Sequence, residues 1–308
     1  MSLDLICMGE PMLELNRNSE DEKGNPLYLE GFGGDTSNAA IAAARQGAKV
    51  AYITALGQDG PGERFLELWR AEGVETSLVH RDGGAKTGLY LVTHGRDGHE
   101  FHYYRSGSAA SRYTPELLPR EAIAKARMFY ASGISQAISP NAADAVFEAM
   151  RIAREAGLQV AYDTNYRASQ WPAPRATAII MQAIARCDIA LPGLDDTRTL
   201  LGLDDKDAIV DHYLRLGPKI VALKMGGEGT YLATAEAREM IPPFPCKPVD
   251  ATGAGDTFCG SFMARMLAGD TPGNAARYAA CAAALSTEGY GAVAPIPRAE
   301  RVHAALKG

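Results

Sequence analysis

The stretch DATGAGDTFCG, residues 250–260, decides the fold that this sequence can adopt. Its two glycines, at 253 and 255, allow a tight turn and let bare backbone approach a ligand. Apolar residues then recur at the helical period, at Phe258, Phe262 and Met266. The stretch therefore predicts a glycine turn that leads directly into a helix, whose first N–H groups are free to bind an anion.

An acidic residue, Asp256, stands in the first turn of this predicted helix, beside the anion site. A carboxylate is a poor ligand for a phosphate, but it can take the proton from a hydroxyl group that attacks one. We therefore predict that Asp256 is a catalytic base and that the amides of Gly253, Ala254 and Gly255 form an anion hole. The alternative is an ordinary glycine turn in which Asp256 only interacts with the helix dipole.

The pattern D-x-T-G-A-G-D-x-F-x-x-G resembles a signature of the ribokinase-like (PfkB) carbohydrate kinases. A second stretch, GFGGDTSN at residues 31–38, is similar to that family's first signature. The resemblance implies an α/β fold with three α/β/α layers, a mainly parallel central sheet and a small β lid. It also implies that Gly33, Gly34 and Asn38 bind sugar hydroxyls, for which an amide offers both a donor and an acceptor.

The composition is that of an ordinary globular protein, and we expect one domain over residues 1–308. A net charge of −6 argues against nucleic-acid binding driven by phosphate attraction. No apolar run reaches the roughly 18 residues of a membrane span, and the N-terminus shows no secretion signal. The five cysteines are widely spaced and lack a C-x-x-C pair, which indicates free thiols in a reducing cytoplasm.

Strand-like and helix-like segments alternate along the chain, which predicts parallel βαβ units with ligands at the strand C-terminal ends. Residues 87–105 interrupt this alternation, because two strand-like segments flank a Gly-Arg-Asp-Gly turn that is typical of a hairpin. We expect segments 11–30 and 87–105 to form the lid, and two more helices to follow the turn at Gly253. The sequence contains no Gly-Lys pair and therefore no Walker A loop.

Residues 224–230, KMGGEGT, follow a predicted buried strand and resemble the family's glycine turn beside the ATP phosphates. The ATP contacts that this resemblance implies are Lys224, Gly226, Gly227 and Gly229. The alternative is that the segment is only a β-hairpin turn. Ala280 stands where the family places an asparagine near adenine, so the choice of nucleotide stays open.

Residues 191–196 depart from the N-x-x-E pattern that most family members link to magnesium. Gly193 stands at the asparagine position and Asp196 at the glutamate position. Asp196 retains a carboxylate, and we expect it to organise Mg²⁺ through water, as this hard cation prefers. The resemblance also suggests a monovalent cation, such as K⁺, near Asp250 and Thr252.

The sugar side contains two arginines: Arg105 follows the predicted hairpin and Arg167 follows a predicted central strand. A neutral sugar needs no guanidinium group, whereas a carboxylate matches its planar fork. The sequences around both arginines resemble the 2-keto-3-deoxygluconate kinases within the family. That resemblance implies that Tyr90 and Tyr104 contact a sugar acid, while the two arginines hold its carboxylate. The alternative for each arginine is a structural ion pair with the protein's own acids.

Together these features predict an ATP-dependent kinase for the primary hydroxyl of a sugar acid, with 2-keto-3-deoxygluconate converted to its 6-phosphate. Two alternatives remain open: a family kinase for a neutral sugar or a nucleoside, and a sugar-acid sensor without turnover. The presence of Asp256 disfavours the sensor. We also expect a homo-oligomer, a dimer through the β lid, and neither a nucleic-acid nor a membrane partner.

Overall fold

The computed structural model describes residues 3–95 and 98–307, in which strands and helices alternate as the sequence predicts. The strands are β1 Leu5–Met8, β2 Met12–Glu20, β3 Pro26–Gly33, β4 Val50–Gly57, β5 Val74–Glu75, β6 Val79–Asp82, β7 Leu89–Gly95, β8 Gly98–Tyr104, β9 Met128–Ser132, β10 Gln159–Asp163, β11 Ile189–Ala190, β12 Ile220–Lys224, β13 Thr230–Thr234 and β14 Arg238–Ile241. The α-helices are α1 Asp35–Arg45, α2 Gly60–Ala71, α3 Arg120–Ala124, α4 Gly133–Ala137, α5 Pro140–Glu155, α6 Ala173–Ile184, α7 Leu194–Leu201, α8 Lys206–Leu216, α9 Ala254–Leu267, α10 Pro272–Ser286 and α11 Ala299–Ala305.

The central sheet has the strand order β14-β13-β12-β11-β10-β9-β1-β4-β5, and β6 also pairs with β4. The pairings from β12 across to β5 and β6 are parallel, whereas β13 pairs antiparallel with β12 and β14 at one edge. Strands inside a parallel sheet are covered on both faces, so their sequences are continuously apolar. The sequences LICM in β1 and VAYITALG in β4 show this pattern.

Helices cover both faces of the central sheet. Successive residues of a strand point to opposite faces, and β1 illustrates the consequence: Ile6 packs in the same core cluster as Phe129, whereas Leu5 packs in the cluster of Tyr130. Side chains of α5, α6 and α8 complete the first cluster, and those of α1, α2, α9 and α10 complete the second. The predicted three-layer α/β/α fold is therefore confirmed.

A second, small sheet has the strand order β3-β2-β7-β8. Strands β7 and β8 form the predicted antiparallel hairpin, and Gly95 pairs with Gly98, while turn residues 96–97 lie outside the described part of the chain. Strand β2 pairs in parallel with β7, so both segments expected to form the lid belong to one sheet. Its large apolar side chains that remain exposed are Leu27, Tyr28, Leu29, Phe101, Tyr103 and Tyr104.

Three helices follow the turn at Gly253, so the prediction of two was wrong. The additional helix, α11, has seven residues and a single buried side chain, Val302, which gives almost no helical period in the sequence. Val302 is held by packing, in a cluster with Tyr278 and Cys281 of α10. In residues 3–95 and 98–307, no helix is long and apolar enough to cross a membrane.

Candidate active site

Asp256 lies in the first turn of α9, directly after the glycine turn that the sequence predicts. Gly253 precedes the helix with a φ of 74°, in the left-handed region that favours glycine. A Cβ at this position would lie 3.0 Å from the backbone oxygen of Ala292, so the close approach of the two segments also requires glycine. The predicted base and the predicted anion hole therefore share one helix N-terminus.

The amide of Asn38 reaches Asp256 from the neighbouring helix α1. Its Nδ2 donates a hydrogen bond of 2.9 Å to Oδ2 of Asp256. The two helices pack closely because Gly260 of α9 faces α1, where a Cβ would lie only 2.2 Å from the carbonyl oxygen of Ala39. Gly260 therefore lets the two helices pack closely enough to bring Asn38 and Asp256 together.

The surroundings of Asp256 make its carboxylate a stronger base than an ordinary aspartate. Burial is the main cause, and together with the negative charges of Asp35 and Asp163 it raises the pKa of Asp256 to about 7. The Asn38 hydrogen bond and the positive charge of Lys224 act in the opposite direction. A base with a pKa near the working pH suits proton transfer from a hydroxyl group.

Lys224 ends strand β12, and its ammonium group forms a buried ion pair. Its Nζ lies 2.5 Å from Oδ2 of Asp163, and the thiol sulfur of Cys259 lies 3.4 Å from the same nitrogen. Burial acts to lower the pKa of Lys224, but the charges of Asp163, Cys259 and Asp196 and the hydrogen bond to Asp163 together outweigh it, so the net direction is upward. The lysine is therefore a fixed positive charge beneath the first turn of α9.

A cavity of about 360 Å³ opens beside this turn. The predicted nucleotide contacts Lys224, Gly226, Gly227 and Gly229 line one part of it, and Ala254 and Gly255 line another. The remaining wall is largely apolar and includes Phe244, Phe258, Ala280 and Ala283. The cavity thus combines the glycine turn after β12 and the N-terminus of α9 with an apolar slot that suits a flat heterocyclic ring.

Asp196 lies in the first turn of α7, and its carboxylate is fixed by the segment that follows β10. Thr164 Oγ1 donates a hydrogen bond of 3.0 Å to Oδ2 of Asp196 and accepts one of 3.2 Å from the amide of Gly193. Burial, reinforced by the charge of Asp163, raises the pKa of Asp196, while Lys224 and Arg167 oppose this shift. Asp196 therefore stands close to the buried Lys224 ion pair.

The charges in this region fit a divalent cation that arrives with a phosphate. Four carboxylates, Asp35, Asp163, Asp196 and Asp256, face two cations, Lys224 and Arg167, according to the charge interactions between these groups. Over residues 3–95 and 98–307, no group of three or more His, Cys, Asp or Glu residues could hold a metal by itself. Magnesium here would take few protein ligands and keep water or phosphate oxygens, its usual preference.

The side chains of Asp250 and Thr252 form hydrogen bonds within the turn itself. Oδ1 of Asp250 accepts hydrogen bonds from the amide and the hydroxyl of Thr252, and its Oδ2 accepts one from the amide of Gly291. These bonds tie the turn to the segment after α10. A monovalent cation at this place stays a prediction.

The two glycines predicted to meet the sugar also make room for neighbouring protein atoms. A Cβ at Gly34, whose φ is 115°, would lie 2.6 Å from the carbonyl oxygen of Glu10. A Cβ at Gly33 would lie 2.5 Å from the hydroxyl of Tyr90. Side chains at either position would therefore displace the lid or the end of β1.

Of the two predicted tyrosines, the lid brings Tyr90 and not Tyr104 towards the site. Tyr90 is buried, and its hydroxyl donates a hydrogen bond to Glu14. Burial and the charge of Glu14 raise the pKa of Tyr90, and the charge of Asp256 adds to this shift. In the hairpin register Tyr90 faces Tyr103, and their ring centroids lie 5.8 Å apart. Tyr104 points to the other face of the sheet and is 61% exposed, so Tyr103 is the better placed partner of Tyr90.

The two predicted arginines have different surroundings. Nη2 of Arg105 lies 2.5 Å from Oε2 of Glu10, a carboxylate that is 1% exposed and also accepts the hydroxyl of Ser108. Arg167 is exposed and donates to the carbonyl of Tyr166 at 2.9 Å. In the described part of the chain, no carboxylate lies within 4.0 Å of the Arg167 guanidinium.

The fold brings into the site several polar residues to which the sequence analysis assigned no role. Asp35 begins α1, is buried, and accepts a 2.9 Å hydrogen bond on Oδ2 from Asn165. Asn165 follows β10 with a φ of 28°, the only non-glycine residue with positive φ among those described. Oδ1 of Asp35 and Oδ1 of Asn38 are buried acceptors that no described residue satisfies. The aspartate in the motif GGDTSN was the only sequence signal for this group.

The profile of pfkB family carbohydrate kinases matches residues 2–299. The chain belongs to this family, and it is a carbohydrate kinase, a phosphotransferase. Among its relatives, the 2-dehydro-3-deoxygluconokinase of Thermoproteus tenax is 33% identical over 306 residues, which cover 96% of this chain and 92% of that protein. Fructokinase-1 of Zea mays is 34% identical over 245 residues, 79% of this chain and 76% of that protein.

Solved structures share the whole fold. A PfkB protein from Polaromonas sp. JS666 superposes with a TM-score of 0.88 at 30% identity, covering 99% of this chain and 100% of that chain. A putative Ribokinase II from E. coli, solved in complex with ATP and Mg²⁺, superposes with a TM-score of 0.90 at 21% identity and covers 99% of both chains. The second likeness is evidence for the fold alone.

Proposed function

We propose that this carbohydrate kinase transfers a phosphoryl group from ATP to the primary hydroxyl of 2-keto-3-deoxygluconate, giving the 6-phosphate. The observation that carries the proposal is Arg167, a guanidinium at the site for which the described residues provide no carboxylate within 4.0 Å. Such a planar donor matches the carboxylate of a sugar acid. The similarity to the Thermoproteus tenax 2-dehydro-3-deoxygluconokinase supports the same substrate.

The sugar hydroxyls would be bound by the free acceptors on α1. Oδ1 of Asp35 and Oδ1 of Asn38 are buried and lack partners among the residues described, which is costly unless a ligand supplies donors. Gly33 and Gly34 would offer backbone groups to the sugar beside these acceptors, and Tyr90 packs against Gly33 from the lid. Arg105 would support the carboxylate while Glu10 holds its guanidinium in place.

ATP would occupy the cavity beside the first turn of α9, with its phosphates along Gly226, Gly227 and Gly229 and its base in the apolar slot. Lys224 would act there as a fixed positive charge. Magnesium, organised through water by Asp196, would neutralise the charge on the phosphates. The E. coli putative Ribokinase II, which shares the fold, was solved in complex with ATP and Mg²⁺.

The reaction follows from the placement of Asp256. The substrate hydroxyl oxygen forms a bond to the γ-phosphorus while the bond from that phosphorus to the β,γ-bridging oxygen breaks, releasing ADP. The hydroxyl proton passes to Asp256, which then returns it to solvent. The amides of Gly253 and Gly255 would stabilise the negative charge on the transferred group, whereas the predicted third amide, that of Ala254, already donates to the carbonyl of Ala251 at 3.2 Å. Positioning and electrostatics would supply most of the catalysis.

The alternative is a family kinase for a neutral sugar, which the identity to maize fructokinase-1 supports. A substrate panel separates the two functions: 2-keto-3-deoxygluconate, fructose, ribose and a nucleoside are offered with ATP and Mg²⁺, and ADP is measured. We expect the highest kcat/KM with the sugar acid and a phosphate ester on its primary hydroxyl. A preference for fructose or ribose would contradict the sugar-acid proposal, and only the assignment as a carbohydrate kinase would stand.

The nucleotide site has its own test, which uses the thiols. Four of the five cysteines are buried, and Cys246, which lines the proposed ATP cavity, is half-exposed. A thiol reagent should therefore modify Cys246 first, and ATP with Mg²⁺ should slow that modification several-fold. Equal rates with and without nucleotide would place ATP elsewhere. Cys246→Ser provides the control that identifies the labelled residue.

We also propose that residues 1–308 act as one cytoplasmic domain that dimerises through the lid. The free cysteines are consistent with a reducing compartment. The exposed apolar side chains of the lid, among them Leu29 and Phe101, form the kind of surface that a second copy covers. Light scattering should give the dimer mass for the wild type and the monomer mass for Phe101→Glu; a monomeric wild type would contradict this proposal.

A further inference from the structure

Gly193 and Asp196 compete for the same space at the start of α7. Gly193 has a φ of −90° and a ψ of 145°, which any residue can adopt, so its backbone does not require glycine. A Cβ at this position would instead lie 3.2 Å from Oδ2 and 3.4 Å from Cγ of Asp196. The absence of a side chain at 193 therefore leaves room for the carboxylate of Asp196.

One hydroxyl group keeps the carboxylate in that space. Thr164 is fully buried, and its Oγ1 lies between the two residues: it donates to Oδ2 of Asp196 at 3.0 Å and accepts from the amide of Gly193 at 3.2 Å. The backbone amide of Tyr166 also acts to lower the pKa of the Asp196 carboxyl group. The segment that follows β10 thus fixes both the position and the orientation of this side chain.

We propose that Thr164 is the positioning residue for Asp196, and that it takes over the role of the side chain missing at Gly193. The inference rests on the proposed function, in which Asp196 organises magnesium through water. Valine has the shape of threonine but cannot donate a hydrogen bond, so Thr164→Val would free the carboxylate to rotate. Serine retains the hydroxyl and should restore most of the effect.

The test measures binding as well as rate. Calorimetry with Mg²⁺ and a non-hydrolysable ATP analogue gives the affinity for the metal–nucleotide pair, and the same titration without metal gives the affinity for the nucleotide alone. We expect Thr164→Val to weaken metal-dependent binding about tenfold, the scale of one hydrogen bond to a charged group. Binding without metal and the KM for the sugar should change less than about twofold.

Three variants make the result specific. Asp196→Ala should weaken metal-dependent binding at least as much as Thr164→Val. Gly193→Ala leaves Thr164 intact but crowds Asp196, and it should act in the same direction, which keeps the inference testable if Thr164→Val does not fold. Thr54→Val removes another buried hydroxyl, on β4, which three strands separate from the β11 strand that precedes α7, and it should behave as the wild type.

The outcomes separate this inference from the proposed function. If the wild type shows no magnesium-dependent nucleotide binding, the proposed function fails and this inference fails with it. If the wild type binds the pair, but Thr164→Val and Gly193→Ala bind it as tightly as Thr54→Val does, Thr164 has no positioning role and the proposed function stands.

Discussion

The proposed catalytic side and the proposed sugar-acid side of this site are built in different ways. On the catalytic side, the glycine turn, the proposed anion hole and Asp256 lie in consecutive residues at the N-terminus of α9. On the sugar-acid side, Glu10, Asp35, Tyr90 and Arg167 come from four separate segments of the chain. The first arrangement depends on local backbone rules, whereas the second exists only after the sheet, the lid and α1 have packed.

Arg105 and Arg167 both belong to the proposed sugar-acid side, but only one of them has a carboxylate partner among the residues that the structure describes. Arg105 has a buried partner in Glu10, and the pair connects the end of β8 to the end of β1. Arg167 has a backbone carbonyl as its partner and no carboxylate within 4.0 Å in the part of the chain described. We therefore expect Arg105 to contribute mainly to stability and Arg167 mainly to substrate selection.

The largest expected effect is on the catalytic side. Asp256→Asn keeps the size of the side chain but cannot accept the hydroxyl proton, so kcat should fall by about 10²–10⁴-fold. ATP binding and the thermal midpoint should change little, because the backbone amides of the turn are untouched. A variant that retains more than about a tenth of the wild-type kcat would remove Asp256 from the role of base.

The second prediction compares the arginines through stability. Arg105→Ala leaves the buried Glu10 carboxylate without its charge partner and should lower the free energy of unfolding by about 3–5 kcal/mol. Arg167→Ala breaks no ion pair among the described residues and should cost far less. Chemical denaturation measures both, and Glu10→Gln combined with Arg105→Ala should recover part of the loss. Equal losses for the two single variants would contradict the distinction between the arginines.

The third prediction concerns the pH dependence of the catalytic side. Asp256 must be ionised to accept a proton, so kcat/KM should be full above a pKa of about 7 and fall as the pH is lowered through it. The Asn38 hydrogen bond lowers this pKa. Asn38→Ala should therefore move the acidic limb of the profile to higher pH, by less than about one unit. An unchanged limb would mean that another group controls the profile.

The sequence predicted the structure correctly wherever one short segment determines its own local conformation. The turn at Gly253, the helix after it and the hairpin of β7 and β8 follow local rules of glycine placement and residue alternation. Family-like motifs added the arginines and Asn38. The short helix α11 was missed because packing, and not helical period, stabilises it.

Contacts between distant segments were beyond the reach of the sequence. The hydrogen bonds of Thr164 with Asp196 and of Asn165 with Asp35 depend on how β10 lies between its neighbours. The same is true of Lys224, whose pairing with Asp163 connects two strands of the sheet. The choice between Tyr103 and Tyr104 as the partner of Tyr90 required the register of the hairpin, which a shift of one residue would reverse.

The most direct test of the sugar-acid proposal is the specificity ratio, the kcat/KM for 2-keto-3-deoxygluconate divided by that for fructose, in the wild type and in Arg167→Lys. Lysine retains the charge but loses the two-pronged geometry, so only the acid should lose a contact. We predict that the wild type favours the acid and that the ratio falls about tenfold or more in the variant. A wild type that favours fructose, or a ratio that Arg167→Lys leaves unchanged, would contradict the proposal that Arg167 holds a substrate carboxylate.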